Sequence, residues 1–300
     1  MTVAPMSSAV GTVDGVAPRP RDDELDMFGI THPGKVRPDN QDHFMLCTVH
    51  PQVVVWNTSL PDPDQLPLRG TRLATLLLVA DGVGGASGGS EAARLATEAV
   101  TRYVSSTLRC YHAAGKSNDE EFLAALREAA MQAHDCVRAE AAVSPKAQHM
   151  ATTLTLALVV WPFVYVVQVG DSRCYHYASG KVRQITRDQT IAQQLVDQGA
   201  MAPKDLKRSP LSHVLASAIG ADEALPDVSR ITTVGDRSGV LLLCTDGLTK
   251  HVNDDEIRQH IEAMTSSEQL CRGLLDLTLE RGGSDNVTIV AARAPVKRTQ

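Results

Sequence analysis

Apolar runs in this chain repeatedly stop at, or start from, an aspartate. "LLLVA" runs into Asp81, "FVYVVQVG" into Asp171 and "VLLLCT" into Asp246; Asp42 stands directly before "HFMLC", and Asp285, with Asn286, directly before "VTIV". Short apolar runs bounded by glycine and polar residues read as buried strands. All five carboxylates therefore sit at strand ends, where a rigid sheet can gather side chains that are distant in sequence. Ionised carboxylates crowded together repel one another and shift their pKa values strongly upward. A divalent cation removes that penalty. An Asp-Gly after a single strand is more often a turn than a ligand. Asp81-Gly82, Asp246-Gly247 and "GGSDN" occurring together argue for a metal centre. An all-oxygen donor set with no Cys or His cluster favours Mg²⁺ or Mn²⁺ over zinc.

The glycines of "LLLVADGVGGASGGSEAA" do not form a nucleotide-binding loop of either common kind. A phosphate-cradling P-loop needs Lys and then Ser or Thr after its last glycine, but Gly89 leads into Ser90 and Glu91. A dinucleotide-binding turn needs G-x-G-x-x-G or A, and Ser87 occupies the third small position. A bare carboxylate at Asp81 would also repel a phosphate unless a cation lay between them.

The remaining sequence bounds the class of protein. A chain of 300 residues, 43% hydrophobic and 21% charged, has the make-up of a globular domain with a sizeable core. Its net charge of −6 argues against non-specific binding to nucleic acid or membranes. No apolar stretch approaches the roughly 20 residues of a membrane-spanning helix. Six cysteines are scattered without a CxxC pair, as expected of free thiols in a reducing cytoplasm.

Residues 1–26 are small, polar and proline-bearing and are expected to form a disordered lead-in. A single domain is expected over 27–294, with a short tail over 295–300. The proline-rich segment 51–72 reads as a surface insertion between two strands. Helical spacing follows the glycine burst (Ala92, Ala96, Ala99, Val100, Tyr103, Val104) and recurs over 118–142, 253–264 and 266–281. Residues 188–220 are expected to be mostly helical. Hairpins are expected at Trp161-Pro162 and at Ser179-Gly180. Strand runs clustered between helix pairs point to an α+β fold with antiparallel sheets covered by helices.

The motifs "RPDNQD", "LLLVADGVGG", "ATTLT", "VVQVGDSR", "LLLCTDGL" and "GGSDNVTIV" stand in an order and spacing that resemble the metal-dependent type 2C serine/threonine protein phosphatases. The resemblance runs from about Phe28 to Ala292. It implies a four-layer αββα sandwich: two antiparallel sheets flanked by pairs of antiparallel helices, with the metal centre at one end. It further implies that Asp81 bridges two Mg²⁺ or Mn²⁺ ions and that the Gly82 carbonyl binds the first. Asp246 and Asp285 would hold the second, and Asp42 would act at the centre directly or through water. Arg37 would bind the substrate phosphate, and Asp171 would hold a weaker third ion. The activity implied is hydrolysis of phosphoserine and phosphothreonine in proteins that bacterial kinases phosphorylate, by a metal-activated water and without a covalent phosphoenzyme.

Three departures from the family pattern matter. Gln41 stands where many members have Glu, and Val83 where many eukaryotic members have a histidine able to act as an acid. Gln189 replaces a frequent His in "ITRDQTIAQQLVDQGAM", which resembles a flap beside bacterial active sites. His32 and His43 flank the first motif and are expected to be packing residues. A phosphatase dedicated to one narrow partner, and a phosphoprotein-binding pseudophosphatase, are the rival readings.

Overall fold

Both faces of the apolar run 74–80 are buried, and they face different neighbours. Leu76, Leu78 and Ala80 pack in a cluster with helical residues, whereas Leu77 and Val79 pack against residues of a second sheet. Side chains alternate along a strand, so a strand covered on both sides must be apolar at every position. The sheet holding this strand is thus an inner layer.

The computed structural model describes residues 18–52, 55, 58–59, 69–84, 88–113, 119–143, 149–232 and 239–295. Its strands are β1 (Asp26–His32), β2 (His43–Val49), β3 (Ala74–Ala80), β4 (Gly82–Val83), β5 (Ala151–Thr152), β6 (Leu154–Val160), β7 (Phe163–Val169), β8 (Arg173–Ala178), β9 (Lys181–Gln184), β10 (Asp227–Thr232), β11 (Val240–Cys244) and β12 (Val287–Arg293). The helices are α1 (Gly88–Ala113), α2 (Asp119–Val143), α3 (Ile191–Asp197), α4 (Asp246–Thr249), α5 (Asp254–Ala263) and α6 (Ser267–Glu280). One sheet runs β10-β7-β6-β3-β2 and the other β1-β12-β11-β8-β9, with every neighbouring pair antiparallel. A small ribbon pairs β4 with β5.

Three clusters bind these layers. Ala157, Val164 and Val166 of the first sheet meet Cys174, Leu241, Leu243 and Val290 of the second between the sheets. Ala92, Ala96 and Val100 of α1, with Phe122, Leu126 and Ala133 of α2, cover the outer face of the first sheet. Ile257 and Ile261 of α5, with Leu270, Cys271 and Leu274 of α6, cover the other. The order is helices, sheet, sheet, helices, as the motifs implied. Asn253 and Glu256 form a reciprocal cap that starts α5.

Both expected hairpins are present, with Val160 paired to Phe163 and Ala178 to Lys181. Positive φ at Ser179 (51°) and Gly180 (77°) suits the tight turn that a twisted two-residue hairpin needs.

Two segments differ from expectation. Over 188–220 there is a single seven-residue α-helix, followed by 3₁₀ turns at Pro203–Arg208 and Pro210–His213. Gly199, with φ 73°, and the two prolines interrupt helical hydrogen bonding, and this outweighs the segment's helical composition. Of the expected lead-in, residues 18–26 lie among those described and are anchored at Pro20 and Asp22. Pro20 is buried, and Arg72 donates to its carbonyl (2.7 Å) and to Asp22 Oδ1 (2.5 Å). Most of the 51–72 insertion lies outside the described residues; Gln52 bridges to Arg69 at its base. Among the described residues, no helix is long and apolar enough to cross a membrane.

Candidate metal centre

Strand register brings the aspartates together. His43 pairs with Ala80, Val79 with Thr155, Leu154 with Val169, and Cys244 with Ile289. The starts of β2 and β12 and the ends of β3, β7 and β11 therefore lie at one end of the sandwich. A cleft of about 1030 Å³ opens there, lined by Arg37, Asp81, Gly82, Asp171, Asp246 and Asp285. Asp42 does not line it. That carboxylate lies behind the wall, 3% exposed, with Oδ2 accepting from the hydroxyls of Thr245 (2.9 Å) and Thr288 (2.8 Å).

The electrostatics are those of an under-neutralised acidic cluster. Burial, and then the charges of Asp42, Asp246, Asp171 and Asp285, push the Asp81 carboxyl well above its usual range. Burial raises Asp42 to about 7 against the opposing hydrogen bonds from Thr288 and Thr245. Asp171 is raised to about 8 by burial and by repulsion from Asp246 and Asp188. Asp285 is the exception. Burial would raise it, but hydrogen bonds from Arg37 and Lys250 outweigh that effect and hold it below its usual value. Arg37 grips it through a fork, with Nε 2.7 Å from Oδ1 and Nη2 3.1 Å from Oδ2.

The residues present suit hard divalent ions. Oδ1 of Asp42 and Oδ1 of Asp246 are buried without a hydrogen-bond partner, a costly state for a carboxylate oxygen and one that a cation relieves. The donors are all oxygen, as Mg²⁺ and Mn²⁺ prefer. Among the described residues, no three acidic, histidine or cysteine side chains converge closely enough to hold an ion as they stand. Asp285 and Asp246 are turned onto cations of the chain itself, since Lys250 Nζ is 2.6 Å from Asp246 Oδ2 and 2.7 Å from Asp285 Oδ2.

The flanking motifs hold the backbone in place. Thr153 of "ATTLT" accepts from the Asp81 amide (3.0 Å) through its hydroxyl, and its own amide donates to the Asp81 carbonyl (2.9 Å). Thr152 donates to the same carbonyl through its hydroxyl (2.9 Å). Asn286 sews the loop before β2 to the start of β12: its amide nitrogen donates to the carbonyls of Pro33 (2.9 Å) and Asp39 (2.8 Å), and its oxygen accepts from the Gln41 amide (2.9 Å). Two glycines are required by close approach. A Cβ at Gly82 would overlap the Gly89 carbonyl, and one at Gly247 would overlap the Asn286 carbonyl.

Gln189 ties the base of the flap to the end of β7. Its side-chain oxygen accepts from Gly170 N (2.9 Å), and its backbone amide donates to the Gly170 carbonyl (3.0 Å). His32 and His43 behave as packing residues: His32 Nδ1 accepts from Gly34 N (2.9 Å), and His43 Nε2 lies 3.2 Å from Ser90 Oγ. Val83 lines the cleft and offers no proton.

Asp39, His213 and Lys250 also line the cleft and were missed in the sequence. Only Lys250 carried a usable signal, because it follows Asp246 by four positions, one helical turn away on the same face.

The protein phosphatase 2C family profile matches residues 57–277 of this chain. The serine/threonine protein phosphatase PstP of Mycobacterium tuberculosis is 33% identical over 220 residues, which cover 73% of this chain. The match spans only 40% of that relative's own length. The serine/threonine phosphatase stp of Listeria welshimeri is 26% identical over 215 residues, 72% of this chain and 82% of the relative. A crystal structure of the M. tuberculosis phosphatase superposes with a TM-score of 0.71 at 26% identity, covering 91% of this chain and 99% of that one. The catalytic domain of the same phosphatase in complex with 2 manganese ions superposes at 0.67, also with 26% identity, covering 90% and 97%. The chain belongs to the protein phosphatase 2C family.

Proposed function

We propose that this chain is a Mg²⁺- or Mn²⁺-dependent hydrolase of phosphoserine and phosphothreonine monoesters in proteins. The observation that carries the proposal is one cleft, at one end of the sandwich, lined by Asp81, Asp171, Asp246, Asp285 and Arg37. Asp81, the Gly82 carbonyl, Asp246 and Asp285 would hold two ions, with Asp42 acting from behind and Asp171 serving a third. When bound, such ions supply Lewis-acid stabilisation of a phosphoryl group and an activated water.

The chain's own residues supply binding and orientation. Arg37 is tethered by Nε and Nη2 to Asp285, which leaves Nη1 for a phosphoryl oxygen and fixes the guanidinium beside the carboxylates. That tether orders the guanidinium on a cleft that Asp81 and Asp246 also line, which lowers the cost of ordering it. Thr152 and Thr153 fix the Asp81 backbone at the edge of the cleft. His213, Val214 and Leu215 also line the cleft and would contact the peptide around the phosphorylated residue. The similarity to serine/threonine protein phosphatases supports phosphoproteins as the substrate class.

Phosphoproteins made by a serine/threonine kinase in a cytoplasmic compartment are the substrates this reading assigns. The test is hydrolysis of para-nitrophenyl phosphate and of a phosphopeptide panel, with and without Mn²⁺. Metal-dependent release of phosphate from phosphoserine and phosphothreonine peptides is expected. Binding of the peptides without turnover would favour a phosphoprotein-binding role instead.

A further inference from the structure

Lys250 follows α4, one turn after Asp246, and its side chain is 23% exposed. Its Nζ contacts Asp246 Oδ2 at 2.6 Å and Asp285 Oδ2 at 2.7 Å, so one ammonium bridges two carboxylates contributed by different strand ends. Its charge also acts on Asp171, opposing the repulsion that Asp171 receives from Asp246. Arg37 shares Asp285 with it, but among the described residues only Lys250 joins the two carboxylates. A lysine with this many acidic neighbours, on the wall of the cleft, is not a rim ion pair of the kind that contributes little.

We propose that Lys250 is a resident cation of the carboxylate cluster, competing with divalent ions for the oxygens of Asp246 and Asp285. The inference rests on the metal-centre reading above. An ion entering between these two carboxylates must displace the ammonium or share oxygens with it, and two positive charges at contact distance repel. Lys250 thereby keeps the carboxylates compensated and gathered when no ion is bound, and it weakens the hold on the ion that Asp246 and Asp285 share. Affinity of a hard-ion site depends on the net charge its ligands offer, and this lysine subtracts one unit from it. It is a positioning residue and not a group that touches substrate.

The experiment is calorimetric titration of the full chain with Mn²⁺ alone, comparing wild type, K250M and K250R, with melting measured in EDTA and at saturating Mn²⁺. Methionine keeps the length and apolar stem of lysine without the charge. K250M is expected to bind Mn²⁺ about tenfold more tightly or better, to melt below wild type in EDTA, and to lose that deficit once saturated. K250R, which keeps the charge, is expected to bind as wild type does. Should K250M fail to fold in EDTA, K250Q refolded in Mn²⁺ and titrated against a competing chelator reports the same affinity. Wild-type binding with K250M or K250Q no tighter overturns the role of Lys250 and leaves the metal centre standing. Absence of Mn²⁺ uptake by every variant, wild type included, overturns the metal-centre reading and this proposal with it.

Discussion

The side-chain amide of Gln41 faces the carbonyl of Gly82. With its nitrogen turned inward, as the surrounding acceptors require, it donates to Gly82 O at 3.1 Å and to Gly84 O at 3.3 Å. The amide therefore engages a carbonyl assigned here to the first ion, at the position where many relatives carry a carboxylate.

Gln41→Glu should invert the preference between metal-free and metal-bound protein. A carboxylate cannot donate to the two carbonyls, and it adds charge beside Asp81. Loss of these bonds should cost the metal-free protein about 1–3 kcal/mol, read as a lower Tm in EDTA. The added charge should tighten Mn²⁺ binding, measured calorimetrically, by about an order of magnitude. A variant that melts like wild type in EDTA and binds Mn²⁺ no better would remove Gln41 from the centre.

Arg37→Ala should act mainly on substrate binding, because a phosphate monoester is already charged before it reacts. A charge-assisted bond is worth roughly 1.5–3 kcal/mol, so KM for a phosphopeptide should rise about 10- to 100-fold, with a smaller fall in kcat. Lysine should rescue only in part, because a point charge cannot reproduce the fork that grips Asp285 at 2.7 and 3.1 Å. An unchanged KM in Arg37→Ala would exclude the residue from phosphate binding.

The sandwich and the acidic end of it were legible in the sequence for a plain reason. Strands buried on both faces are apolar throughout, so a run such as Leu76–Val79 and the aspartate that ends it stand out without knowledge of the fold. Register then does the gathering, and antiparallel pairing of His43 with Ala80 is enough to set Asp42 beside Asp81. Depth was not legible. Asp42 and Asp81 look alike in sequence, yet Asp42 lies behind the wall on Thr245 and Thr288 while Asp81 lines the cleft. The breaks within 188–220 are hidden in its composition, which averages over Gly199, Pro203 and Pro210, residues that interrupt helical hydrogen bonding locally. Lys250 escaped notice because a lone lysine reads as solvated surface, and only its one-turn spacing from Asp246 marked it.

Metal removal should be reversible and visible without substrate. Asp42 Oδ1 and Asp246 Oδ1 lack partners, so Mn²⁺ should stabilise the folded chain by relieving them. Tm should rise with Mn²⁺ concentration and fall back in EDTA, while hydrolysis of para-nitrophenyl phosphate follows the same titration. Full activity in chelated, metal-stripped protein would refute the assigned chemistry.

Asp81→Asn and Asp171→Asn should separate two carboxylates that strand-end position alone treats as equivalent. Burial raises both; Asp81 then faces repulsion from Asp42, Asp246, Asp171 and Asp285, whereas at Asp171 the repulsion from Asp246 and Asp188 is partly offset by Lys250 and Arg173. Replacing Asp81 with its near-isosteric amide removes the most strongly repelled charge, so Tm in EDTA should hold or rise. The same change deletes the carboxylate assigned to both principal ions. Tight Mn²⁺ uptake should disappear, and kcat should fall by several orders of magnitude. Asp171→Asn should retain two tightly bound ions, lose part of its turnover and shift the Mn²⁺ concentration needed for full rate. Calorimetric titration beside phosphopeptide kinetics decides between the roles. Near-normal kcat in Asp81→Asn, or loss of the tight ions in Asp171→Asn, would reverse the assignment, since each residue would then be carrying the part given to the other.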